Sequence, residues 1–163
     1  MDIRFSRAND RQVSRGMGDV LSKLTDMGFR EAGHWELSGN FLSYRLSEEY
    51  NDKRGLYLFV VDNEPLYLGA CRSPRTTISN RLNSYAKASR RYETTESFIN
   101  SKLRNELKNG NHVTIYVLVP QKSFTYNGIE LDPVVGLERP VRDKLNPIWN
   151  SELTDKRRAK RRL

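Results

Sequence analysis

Apolar residues recur at three- and four-residue spacing over residues 10–28, through Val13, Met17, Val20, Leu21, Leu24 and Met27. This rhythm predicts an amphipathic helix that stops at Gly28. From residue 34 to 46 the pattern loosens to Trp35 and Leu37, then Phe41, Tyr44 and Leu46, around Ser38-Gly39-Asn40, which reads as a hairpin. The polar, charged stretch Ser47–Arg54 marks a boundary. Gly55–Val61 then forms a nearly continuous apolar strand, Asp62-Asn63-Glu64 a turn, and Pro65–Gly69 the second strand of a β-hairpin. Ile78, Leu82 and Tyr85 share one face of a helix expected over 75–89, and Phe98, Ile99, Leu103 and Leu107 line another over 95–109, closing at Asn109-Gly110. Val113, Ile115, Val117 and Val119 alternate as a strand. Asp132-Pro133 is a helix entry, with Asp as N-cap and Pro in the first turn. That helix carries Val134, Leu137, Val141 and Leu145 and ends at Asn146-Pro147.

The main body, ββααβα, has too few strands for a doubly wound sheet. The expected fold is α/β in the α+β sense: a small three-stranded antiparallel sheet flanked by helices, with an N-terminal helix–hairpin extension. The expected divisions are an extension over 1–52, a main domain over 53–151 and a basic tail over 152–163.

Composition narrows the function. The chain has 163 residues, enough for a core without covalent staples. Its single cysteine, Cys71, excludes an internal disulfide and a multi-cysteine zinc site, and two histidines leave little for histidine-based metal chemistry. A hard cation held by oxygen is the metal such a chain suits. The longest apolar run has six residues, Leu56 to Val61, so no membrane span is expected. The charged N-terminus argues against export, and a cytoplasmic setting is expected. The net charge of +8 predicts an anionic partner, with nucleic acid the first choice. Lys156, Arg157, Arg158, Lys160, Arg161 and Arg162 concentrate that charge in the last eight residues, either as a phosphate-gripping arm or as a solvated end.

One constellation carries chemistry. Gly55-Leu56-Tyr57 is followed after nine residues by Tyr67-Leu68-Gly69. Arg81 lies on the next expected helix with Tyr85 one turn on, Glu138 stands in Gly136-Leu137-Glu138, and Asn150 closes Asn146-Pro147-Ile148-Trp149-Asn150. Tyr57 and Tyr67 fall on adjacent strands, where two hydroxyls can converge, or they are simply strand residues with buried rings. Arg81 offers a planar, permanently charged fork for phosphate oxygens at the rim of its helix's apolar stripe. The order of these elements over residues 53–151 resembles the GIY-YIG nuclease family.

The resemblance implies a DNA endonuclease that hydrolyses phosphodiester bonds with Mg²⁺, one ion per active site, which Mn²⁺ can replace. It implies that Tyr57 orients or deprotonates the attacking water, that Glu138 holds the metal, and that Asn150 braces the site or contacts phosphate. Tyr85 stands where many members have histidine and some restriction enzymes have tyrosine; accessory base, water-positioning group and core residue stay open. Arg72 and Arg75, after the second signature, are candidate contacts to the DNA backbone. A single metal-binding carboxylate argues for one-metal chemistry. The expected partner is double-stranded DNA, and cutting both strands calls for a homodimer on it. A small stand-alone enzyme of restriction or phage/defence type is the leading expectation, ahead of a structure-specific repair nuclease and of a non-catalytic nucleic-acid-binding module that keeps the fold.

Overall fold

Two consecutive residues with left-handed backbone, Asp62 (φ 48°) and Asn63 (φ 63°), join the central hairpin. Their conformation matches the twist of the flanking strands, which tight two-residue hairpin turns require. The computed structural model that holds this turn describes residues 19–89, 91 and 93–162. Helix α1 occupies residues 19–26; the rest of the helix expected from residue 10 lies outside the described residues. There follow β1 (Arg30–Ser38), β2 (Phe41–Leu46), β3 (Leu56–Val61), β4 (Glu64–Ala70), α2 (Ile78–Ala86), α3 (Thr95–Lys108) and β5 (Thr114–Leu118). The chain continues through β6 (Phe124–Tyr126), β7 (Ile129–Leu131), α4 (Pro133–Leu145) and α5 (Ile148–Lys160).

The main sheet is antiparallel and runs β2-β1-β5-β3-β4. It has five strands, not the expected three, because the N-terminal hairpin does not stand apart. Its strand β1 pairs with β5, Arg30 opposite Val117 and His34 opposite Thr114, so both hairpins share one sheet. A β5 strand left with one open edge would expose a row of unpaired amides, which β1 covers.

Period-two alternation divides β3 between two cores. Tyr57, Phe59 and Val61 face a layer that includes Ile78, Leu82 and Tyr85 of α2, Ile99 and Leu103 of α3, and Trp149 of α5. Leu56, Leu58 and Val60 face Leu24 of α1 and Val134 and Val141 of α4. Every residue of β3 is buried, which explains its unbroken apolar run.

Two further elements depart from expectation. The expected basic tail is helix as far as Lys160, forming the second half of α5, with Arg161 and Arg162 in the turn that follows. Trp149 docks into the core and Leu153 packs against it, while Arg157, Arg158 and Lys160 sit in the last turn, where cations suit the helix dipole. Between β5 and α4 an unanticipated hairpin, β6–β7, turns at Asn127-Gly128, both with positive φ. Its Phe124, Tyr126, Ile129 and Leu131 are exposed. Among the described residues no helix is long and apolar enough to cross a membrane.

Helix α4 begins as expected. Asp132 Oδ1 accepts from the amides of Val134 (3.0 Å) and Val135 (3.4 Å), and Pro133 follows it. The same carboxylate takes a bidentate pair of bonds from Arg54 at 2.9 and 2.6 Å, tying α4 to the loop ahead of β3. Asp132→Ala removes cap and tie together and is expected to cost about 1–2 kcal/mol, seen as a lower thermal midpoint. Asp132→Asn keeps a capping oxygen and is expected to lose less than half of that. Equal losses in the two melting curves would contradict the cap.

Candidate functional site

The two signature glycines are where the backbone cannot carry a side chain. Tyr57 lies opposite Gly69 across β3 and β4. A Cβ on Gly69 would stand 2.3 Å from the Tyr57 ring and its hydroxyl, so the ring rests directly on the glycine. A Cβ on Gly55 would fall 2.4 Å from the carbonyl oxygen of Leu118, so the start of β3 can close on the end of β5 only at glycine. Phe59 and Tyr67 form the next cross-strand pair on the same face, with ring centroids 5.7 Å apart.

This packing converges three phenols. The Tyr85 hydroxyl lies 2.7 Å from that of Tyr57 and 3.1 Å from that of Tyr67. Arg81, one turn earlier on α2, donates from Nη2 to the Tyr85 oxygen at 3.0 Å and from Nε to the Tyr57 oxygen at 3.3 Å. Tyr57 and Tyr85 are wholly buried and Tyr67 is 6% exposed. Burial pushes the Tyr57 phenol above the usual tyrosine range and the Tyr67 phenol works the same way, while the Arg81 charge pulls against them without prevailing. Burial raises Tyr67 and Tyr85 as well. For Arg81 burial disfavours the charge, yet the Tyr57 and Tyr85 oxygens outweigh it and hold the guanidinium protonated.

In front of the phenols opens a cleft of about 360 Å³, to which Tyr57, Tyr67, Arg72, Arg81, Glu138 and Arg157 contribute. Glu138, 9% exposed, projects into it from the second turn of α4. Its carboxylate receives Arg72 Nε at 2.7 Å and Nη2 at 2.6 Å, and Arg142 Nη1 stands 3.9 Å away. Arg81 is engaged by Glu96 through a single bond, at 3.1 Å from Nη2 to Oε1. Nothing in the spacing of the chain singles out Glu96. Its one sequence signal is an acid in the first turn of α3, which ordinarily marks only a favourable dipole position.

Apart from Arg157, the remaining expected site residues do not line the cleft. Tyr85 sits behind it as the hub of the phenol cluster. Asn150 faces β4: its Oδ1 accepts from the Leu68 amide at 2.8 Å and its Nδ2 donates to the Leu68 carbonyl at 2.9 Å. It therefore imitates a sixth strand at the sheet edge and fixes the backbone between Tyr67 and Gly69. Arg75 is exposed on the loop and does not line the cleft. On α5, Arg157 reaches the cleft rim and bonds Thr95 Oγ1 at 3.0 Å, whereas Lys156 lies over the Phe98 ring and Lys160 pairs with Glu93. Arg158 lines a separate hollow beside Asn150, and Arg161 and Arg162 follow the helix end.

Chemically the cleft presents a fixed guanidinium, two phenol walls and one buried carboxylate, a set that suits a tetrahedral anion more than a neutral ligand. Among the described residues no three His, Cys, Asp or Glu gather to enclose a metal ion.

No protein-family model matches the sequence, and no curated protein matches it. Among solved structures the chain is similar to a mutant of bacteriophage T4 EndoII, with 24% identity over 80% of this chain and 97% of that one and a TM-score of 0.59, which establishes a shared fold. The restriction endonuclease HPY188I in complex with product DNA aligns at 19% identity over 78% of this chain and 83% of that one, with a TM-score of 0.47.

The phenol cluster makes stability depend on alkaline pH. Unfolded tyrosines ionise near pH 10, whereas the folded ones are held protonated above it, so above pH 10 the unfolded state binds fewer protons and stability falls as pH rises. The thermal midpoint should decline above pH 10 and decline less steeply in Tyr85→Phe. An unchanged slope in that variant would contradict the cluster's role.

Proposed function

We propose that the chain is a divalent-metal-dependent DNA endonuclease of the GIY-YIG type that hydrolyses phosphodiester bonds in its Tyr57–Arg81–Glu138 cleft. The observation that carries this reading is the convergence of Tyr57, Tyr67, Arg81 and Glu138, far apart in sequence, on one polar cleft. The fold shared with the bacteriophage T4 EndoII mutant supports it.

The donor set fits a hard cation that keeps most of its water. Glu138 is one buried carboxylate at the cleft wall, and Mg²⁺ is commonly bound through one or two carboxylates with water and phosphate oxygens completing its shell. Mn²⁺ suits the same oxygen set. When bound, such an ion neutralises charge on the phosphate and lowers the pKa of a coordinated water.

The chain's own groups do the rest. Arg81, freed from Glu96 by a competing phosphate, grips the non-bridging oxygens with its fork. Tyr57 faces the attacking water. As that water's oxygen bonds to phosphorus, its proton passes to the phenolate oxygen of Tyr57, and the bond from phosphorus to the leaving sugar oxygen breaks. The leaving oxygen takes its proton from solvent. Tyr85 and Arg81 donate to the Tyr57 oxygen and stabilise its anionic form, while Tyr67 fills the wall beside it. Arg157 and the neighbouring cations of α5, with Arg72, supply salt-sensitive contacts to flanking phosphates.

Because burial holds the Tyr57 phenol high, its reactive anion is scarce at neutral pH. The cleavage rate of plasmid DNA with Mg²⁺ is therefore expected to rise about tenfold per pH unit between pH 7 and 9. Glu138→Gln and chelation should each abolish product, and Tyr57→Phe should slow cleavage at least about a hundredfold, while DNA binding survives. Tight binding with no cleavage by the wild type would point to a non-catalytic module, and a rate independent of pH would remove Tyr57 from the base role.

A further inference from the structure

The ion pair between Arg72 and Glu138 is a feature that the proposed chemistry leaves unexplained. Two donors of Arg72 occupy both oxygens of Glu138, at 2.7 and 2.6 Å, with the guanidinium held in the plane of the carboxylate by a bidentate bond. The partners differ sharply in freedom: the Glu138 side chain is 12% exposed and the Arg72 side chain 68%. The backbone beneath Arg72 is also anchored independently of its side chain. Arg54 donates from Nη2 to the Arg72 carbonyl at 2.7 Å and from Nε to the Ser73 carbonyl at 3.1 Å, and both bonds stand whatever the Arg72 guanidinium does. Arg54 is itself held by Asp132, the cap of the helix that carries Glu138. One rigid unit thus fixes the carboxylate and the pivot, and a long exposed side chain spans between them.

A divalent cation and a guanidinium compete for these oxygens, since like charges at contact distance repel strongly in a partly buried cleft. Arg142, 3.9 Å from the same carboxylate, already contributes a second positive charge. Metal arriving at both oxygens would displace Arg72, whose long side chain lines the cleft from a backbone anchored by Arg54.

We propose that Arg72 is a two-position residue: it locks Glu138 while the cleft holds no cation, and it turns to a phosphate of the DNA when a divalent ion takes the carboxylate. The inference rests on the reading of the cleft as a metal-dependent nuclease site. It makes the site self-capped without substrate, and it couples metal binding to DNA binding because each frees what the other needs.

Mn²⁺ binding to the full-length chain, followed by the electron paramagnetic resonance signal of the free ion, tests it without recourse to activity. Arg72→Gln is expected to bind Mn²⁺ about tenfold tighter than wild type, as loss of a close charge pair allows, with Arg72→Lys between them and Glu138→Gln weakest. The same Arg72→Gln chain should bind duplex DNA more weakly in the presence of Ca²⁺, with its salt slope reduced by about one. Circular dichroism melts confirm that each variant is folded. If Glu138→Gln loses Mn²⁺ binding but Arg72→Gln binds it no tighter than wild type, the two-position role fails while the metal reading stands. If neither wild type nor Arg72→Gln binds Mn²⁺ at Glu138, both fail.

Discussion

Everything in the cleft depends on the contact between the Tyr57 ring and Gly69. With no side chain at the opposing position of β4, the ring rests against the strand instead of being pushed off it, and its hydroxyl lies 2.7 Å from that of Tyr85. That hydroxyl is then within reach of Arg81, whose fork spans two phenol oxygens from a single helical position. A methyl group on residue 69 would have to displace an aromatic ring that is packed on every side, and tightly packed interiors do not yield cheaply. Asn150 secures the same strand from outside by pairing with both backbone groups of Leu68. The edge strand is thus fixed from its face by Tyr57 and along its edge by α5.

A second constraint is electrostatic. Two of the guanidiniums that line the cleft have acidic partners: Arg81 with Glu96, and Arg72 with Glu138. Partly buried ions without partners would be costly, so pairing makes the unliganded cleft stable. On the function proposed above, a phosphate and a cation would enter by exchange, the anion replacing Glu96 at Arg81 and the cation replacing Arg72 at Glu138. Such exchange favours a ligand that brings both signs together, which a metal-bound phosphodiester does.

Much of this was legible in the chain. The β3–β4 hairpin, α3, and α4 with its Asp132 cap follow from local periodicity and turn chemistry, while the grouping of Tyr57, Tyr67, Arg81 and Glu138 was implied by the family resemblance. What was not legible depends on non-local pairing. Nothing near Arg30–Ser38 announces that it will pair with β5, since strand pairing is chosen by the whole sheet and not by the strand. Helix α5 was hidden because a run of like charge reads as a solvated end, and only the docking of Trp149 and Leu153 reveals otherwise. The β6–β7 hairpin had a local signal, Asn127-Gly128 between apolar alternations, that is as strong as any in the chain. Glu96 and the structural use of Asn150 emerge only from contacts across the fold.

Whether the bare backbone at Gly69 holds Tyr57 for reaction can be read from a double-mutant cycle in single-turnover DNA cleavage. Gly69→Ala is expected to slow cleavage severely on its own but to add nothing to Tyr57→Phe, because both act through one hydroxyl. Losses that multiply in the double variant, or a Gly69→Ala enzyme as fast as the wild type, would contradict it.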